Sequence, residues 1–207
     1  FFVIYDDVNY MKKSFINRNF ILVGNEPQKI TLEVMGASQN KHINDIFIGN
    51  NNQKILETLR HAYKRAPEYD KIFPLVQSIL ESPEKNLAKF LAGLIEKISN
   101  YLEVKTKIIF SSDVEKDYNL NGQEKILDIC KNLRSSNYVN PINGINLYDK
   151  EKFTKEGVEL NFLDSKIDEY KFWKKYFSLT LFYQLLLKIL FYKFLNLYYL
   201  IHFYLIF

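Results

Sequence analysis

Residues 87–110 read LAKFLAGLIEKISNYLEVKTKIIF, and the change of period inside this stretch decides the fold class. Leu87, Phe90, Leu91, Leu94, Ile95, Ile98 and Leu102 recur every three or four residues. That spacing lines one face of a helix and predicts a long amphipathic α-helix. Lys107 to Phe110 then forms a short β-rich apolar run, which predicts a strand.

The same alternation extends outward in both directions. Phe2-Val3-Ile4-Tyr5 is a short apolar run that stops at Asp6-Asp7, as a buried strand stops where its end meets solvent. Arg18 to Val23 and Gln28 to Val34 read as a hairpin with its turn near Gly24 and Pro27. Ile55, Leu56, Leu59, Ala62 and Tyr63 predict a helix that Pro67 stops, and Ile72, Leu75, Val76, Ile79 and Leu80 predict a second one. Downstream, Gln123 to Leu133 reads as a helix, Tyr138-Val139 as a strand halted by Asn140-Pro141, and Val158 to Leu163 as a last strand. Strands alternating with helices predict an α/β domain: a mixed sheet with helices packed on it. A length of 207 residues suits a single domain, expected over 1–171.

The formal charge of +4 is matched by Lys174, Lys175, Lys188 and Lys193, which lie beyond Trp173 where no acid occurs. Residues 1–173 are therefore neutral, and no nucleic-acid partner is expected. The single cysteine, Cys130, excludes an intrachain disulfide and a Cys-based zinc cage. It falls on the apolar face of its helix as a buried thiol and fits a reducing compartment, so a cytoplasmic location is expected. No initiator Met and no secretory signal is visible, and the chain reads as a fragment.

Residues 172–207 form a tail of different character, and Tyr176 to Phe207 contains no Gly, Pro, Ala, Val, Asp or Glu. Three readings stay open. Leu185 to Phe207 is long enough to span a bilayer of roughly 30 Å, which would place the protein at the inner membrane face. Lys188, Lys193 and His202 interrupt that span, and a central Lys costs about 3 kcal/mol on insertion. Translation out of frame from A/T-rich DNA explains the narrowed alphabet, and a buried or partner-binding helix is the third reading.

Candidate site residues cluster at predicted strand ends. Tyr5-Asp6-Asp7-Val8-Asn9-Tyr10 sets two carboxylates beside two phenols, where α/β sheets hold ligands. Such a pair can hold a divalent cation, or supply a general base if one carboxylate raises the pKa of the other. It can equally cap a strand in solvent. In Asn17-Arg18-Asn19 the guanidinium offers a planar fork suited to phosphate or carboxylate, or marks a structural turn. His61 and Tyr63 lie on the first long helix, with His61 either a base or a surface residue. Gly122-Gln123-Glu124 opens a helix whose free N–H groups can receive an anion, and Asn140 sits in turn residues after a strand. No phosphate loop, dinucleotide fingerprint, nucleophile elbow or zinc signature is present. Neither a metal set nor a cofactor is assigned.

Taken in order, Tyr5-Asp6-Asp7-Val8-Asn9-Tyr10, Phe15-Ile16-Asn17-Arg18-Asn19, His61-Ala62-Tyr63-Lys64-Arg65-Ala66-Pro67, Gly122-Gln123-Glu124 and Tyr138-Val139-Asn140-Pro141 resemble the WbqC-like family. The resemblance covers about residues 2–163. It implies a bacterial protein encoded among genes for O-antigen, lipopolysaccharide or other surface polysaccharides. It also implies a proposed activity, transfer of glycine or a similar acyl group to a sugar. Members usually begin with a Met-Gln-Pro segment that is missing here, and they continue past Tyr170-Lys171 in a more polar alphabet.

Two functions follow as expectations. In the first, an acyltransferase, Asp6 or Asp7 is the base toward a sugar amine or hydroxyl, and His61 shuttles a proton. Arg18 holds a phosphate, and Asn17, Asn19 and Asn140 orient the substrate, with Tyr5, Tyr10, Tyr63 and Gln123 completing the binding set. In the second, the same surface is a non-catalytic sugar-nucleotide or glycan-binding module. The expected partner in either case is a sugar nucleotide or lipid-linked sugar, with a membrane added only if the tail is genuine.

Overall fold

The computed structural model describes residues 1–24 and 26–164, so the tail readings and the 171/172 boundary lie outside the described residues. Strand β1 (Phe2–Ile4) is followed by the hairpin β2 (Arg18–Val23) and β3 (Glu26–Thr31), then β4 (Val34–Met35) and β5 (Phe47–Ile48). Three helices come next: α1 (Asn52–Tyr63), α2 (Tyr69–Leu80) and α3 (Leu87–Tyr101). After β6 (Ile108–Phe110) and α4 (Gly122–Asn132), the order closes with β7 (Asn137–Pro141), α5 (Lys150–Lys155) and β8 (Glu159–Leu163).

The architecture is a single α/β domain whose pairing is mixed, as expected, but divided, among the described residues, into four two-stranded sheets. β1 runs parallel to β6 and β7 parallel to β8, while β2–β3 and β4–β5 are antiparallel. β1 shows why its sequence is uninterruptedly apolar. Phe2 and Ile4 pack with Ile95 of α3 on one face, while Val3 meets the main core on the other.

Two boundaries differ from the sequence expectation. The expected strand Gln28 to Val34 divides into β3 and β4, and Pro27 lies inside β3 opposite Leu22 rather than in the turn. Proline is tolerated there because Leu22 directs its N–H away from β3, to the hydroxyl of Tyr63 at 3.0 Å. The pair therefore exchanges no ladder bond that Pro27 would have to donate. Gly24, at φ 57°, supplies the left-handed turn. The second difference is at Asn140-Pro141, which does not halt β7: Asn140 pairs with Phe162 and Pro141 with Leu163.

The main core joins α1–α4 to α5 and β8 through Leu56, Tyr63, Ile72, Leu87, Ile126, Phe153 and Leu160, all almost without exposed surface. Asn86 caps α3 by accepting from Lys89 N at 3.1 Å and donates to the Asn44 carbonyl at 2.6 Å. This fixes the start of α3 against the segment that reaches the end of β1. Among the described residues no helix is long and apolar enough to cross a membrane.

Candidate functional site

The ends of the parallel strands β1 and β6 carry one polar cluster. β1 delivers Asp6 and Asp7, while β6 runs into a 3₁₀ turn, Ser111–Asp113, that delivers Ser111 and Ser112. The Asp6 N–H donates to the Ile4 carbonyl at 3.0 Å. This local turn after Ile4 lets two adjacent carboxylates reach the same loop, which an extended strand would forbid.

The two carboxylates have different surroundings. Asp6 is 4% exposed, and it accepts from Ser112 N at 3.0 Å, Ser112 Oγ at 2.6 Å and Asn44 Nδ2 at 3.0 Å. Ser112 itself is exposed. Its hydroxyl thus links an exposed residue to a buried carboxylate, and the short separation is typical of a charge-assisted bond. Asp7 instead forms a buried ion pair, with Lys116 Nζ 2.7 Å from Oδ2 and side-chain exposures of 0% for Lys116 and 6% for Asp7. Ser111 Oγ donates to Asp7 Oδ1, and Lys116 Nζ also donates to the Ser111 carbonyl. Burial pushes the Asp7 carboxyl upward. Hydrogen bonds from Lys116 and Ser111, with the charges of Lys116 and Lys125, outweigh it and hold the group below its ordinary range.

A second group lies nearby along the chain. Tyr10 donates from its hydroxyl to Asn17 Oδ1 at 3.1 Å, and Asn17 Nδ2 donates to the Leu32 carbonyl at 2.7 Å. Burial raises the Tyr10 pKa, with the charge of Arg18 pulling partly against it. The covered Nε of Arg18 has no hydrogen-bond partner. Asn19 Oδ1 accepts from the N–H of Phe20. Tyr5 is buried at the end of β1.

The remaining candidates are dispersed among other elements. His61 stands on the exposed side of α1 and shares no hydrogen bond or ion pair with Asp6 or Asp7 among the described residues. Tyr63 points inward to hold Leu22, and its burial raises its pKa against a smaller opposing effect of that N–H. Gln123 Oε1 accepts from Asp149 N at 2.9 Å, tying the start of α4 to that of α5. Asn140 is wholly buried, with neither amide atom hydrogen-bonded.

Sequence reasoning missed Asn44, Ser111, Ser112 and Lys116. Ser111-Ser112 follows the run Ile108-Ile109-Phe110 just as Asp6-Asp7 follows its own strand. The rule that selected one polar pair would have selected the other. Among the described residues no group of three or more His, Cys, Asp or Glu is placed to hold a metal ion.

Fold and site together define an α/β protein with a charged, hydroxyl-lined centre at the carboxyl ends of neighbouring parallel strands, the position where such sheets receive ligands. The chain belongs to the WbqC-like protein family, whose model matches residues 1–181. It is similar to "Uncharacterized protein Rv1507c" of Mycobacterium tuberculosis (strain ATCC 25618 / H37Rv), with 26% identity over 179 residues. That alignment covers 84% of this chain and 75% of the relative. No solved structure matches.

Proposed function

We propose that this protein transfers an amino-acyl, glycyl-like group to a sugar in the synthesis of bacterial O-antigen or another surface polysaccharide, with Asp6 and Ser112 as its proton-transfer pair. The observation that carries the reading is the hydroxyl of the exposed residue Ser112 donating at 2.6 Å to the buried Asp6 carboxylate. An acceptor amine or hydroxyl bonds through nitrogen or oxygen to the acyl carbon, and the donor's leaving group departs with the electron pair of the broken bond. The acceptor's proton passes to Ser112 Oγ as the proton of Ser112 passes to Asp6 Oδ2. Asp7, ionised and paired with Lys116, fixes the charge of the neighbouring carboxylate position without moving a proton. The cytoplasm is the proposed compartment.

A second reading, a non-catalytic glycan-binding module, is favoured by one observation: each carboxylate oxygen of Asp6 and Asp7 already has a partner. Mass spectrometry of the surface polysaccharide separates the two. Cells deleted for the gene are complemented with the wild type, Ser112→Ala or Asp6→Asn, and folding of each purified variant is checked by circular dichroism. Transfer requires the deletion to lack one amino-acyl substituent on an otherwise complete repeat. The wild type restores it, and the folded variants transfer about 10²- to 10⁴-fold more slowly. An unchanged repeat made in smaller amount would instead favour the binding module.

A further inference from the structure

Segments 6–10 and 41–44 run antiparallel beside the Asp6 centre. Asn44 N donates to the Asp6 carbonyl at 3.0 Å, Ile43 N to the Val8 carbonyl at 3.0 Å and Tyr10 N to the Lys41 carbonyl at 2.8 Å. Asn9 and His42 form a bridge between them. These contacts unite two stretches of one sign. Residues 8–24 carry Lys12, Lys13 and Arg18 with no acid, and residues 34–44 carry Lys41 and His42 with no acid. Lys12, Lys13, Lys41 and His42 are all exposed.

Arg18 is the distinctive member. It is half-buried, its Nε is covered and lacks an acceptor, and among the described residues no carboxylate pairs with it. A covered guanidinium donor without an acceptor is costly, and guanidinium geometry suits phosphate oxygens in particular. The amides on either side are turned to other partners, Asn17 to Tyr10 and Leu32 and Asn19 to Phe20. They hold the backbone around Arg18 and take no bond from its guanidinium.

We infer that the surface built by residues 9–18 and 36–42 docks the diphosphate of the substrate, with Arg18 as anchor and Lys12 and Lys41 as its rim. The inference rests on the transfer reading only for which substrate the surface serves. A nucleotide-activated sugar and a lipid-linked sugar share this diphosphate, so the common group is what the surface recognises. Docking here would bring the attached sugar beside Ser112, because the 41–44 segment continues into the amide of Asn44 on Asp6.

The test is titration calorimetry of the full chain with inorganic pyrophosphate at two salt concentrations. Binding that weakens with added salt is expected, because the rim is exposed and therefore screened. Arg18→Gln should weaken it at least about tenfold, the loss of a charge-assisted bond. The exposed pair Lys12→Gln with Lys41→Gln, which cannot disturb the core, should weaken it and flatten the salt dependence. Lys150→Gln, an exposed change on α5, should leave it unchanged. No pyrophosphate binding, or equal weakening by Lys150→Gln and the rim pair, overturns the inference. A sugar nucleotide, uridine diphosphate N-acetylglucosamine, and a lipid source, farnesyl diphosphate in detergent, then identify which carrier binds more tightly than pyrophosphate. The two proposals fail separately. Cells that lose the acyl substituent while the protein ignores pyrophosphate would keep the transfer reading and sink this one.

Discussion

Replacing Asp7 by Asn would strand the ammonium of Lys116, whose side chain is 0% exposed and sits 2.7 Å from Asp7 Oδ2. Breaking a buried ion pair by removing one partner costs about 3–5 kcal/mol, because the remaining charge stays out of water. Lys116 would keep the Ser111 carbonyl, and the Tyr118 ring 4.9 Å from Nζ, as partial compensation. That places the expected loss near the lower end, about 3 kcal/mol, a large fraction of the roughly 5–15 kcal/mol that holds a domain together. The assay is urea unfolding followed by circular dichroism at neutral pH. The double variant Asp7→Asn/Lys116→Met should lose clearly less than the sum of the single variants, with a coupling of about 2 kcal/mol or more. The pH dependence has a definite sign. The folded carboxyl lies below its unfolded value of about 3.9, so the pair's contribution is complete above that value. It disappears as the pH falls through the lower folded one. A loss under about 1 kcal/mol for Asp7→Asn, or strict additivity in the cycle, would refute the assignment of this pair as a buried anchor. Because Asp7→Asn disturbs the fold, Asp6 and Ser112 are the cleaner probes of chemistry.

Three further outcomes are expected. Burial pushes the Cys130 thiol up to about 11, so iodoacetamide at pH 8 should leave it unmodified in the native protein and label it in urea; rapid native labelling would contradict its placement. Gly144→Ala should destabilise by about 1–3 kcal/mol in the same urea assay, because a Cβ there would lie 1.9 Å from Asn140 Nδ2. Tyr63→Phe removes the acceptor of the Leu22 N–H. It should cost about 1 kcal/mol and speed hydrogen exchange at Leu22, whereas unchanged exchange would separate the hydroxyl from the hairpin.

What the sequence determined by itself was the family and most of the elements, though not the short β5 and α5. Periodicity alone located α1–α4, since Leu87, Phe90, Leu91, Ile95 and Ile98 must share a face wherever the helix packs, and all five are buried. The strand runs Phe2–Ile4 and Ile108–Phe110 were legible because a strand covered on both faces has no room for polar residues. Asp6, Asp7, Arg18 and Asn140 were legible as site candidates because polar residues at strand ends and turns stand out against apolar runs. Pairing beyond the β2–β3 hairpin was not legible. Nothing in the text of residues 2–4 specifies residues 108–110 as their partner, and that long-range choice brings Ser111, Ser112 and Lys116 to the Asp pair. Tertiary structure alone also divided the surroundings of two adjacent carboxylates: a buried ammonium reached Asp7, while the hydroxyl of an exposed serine reached Asp6. The sequence shows their residue types and spacing, but their chemistry depends on distance and burial, which arise only when remote segments pack together.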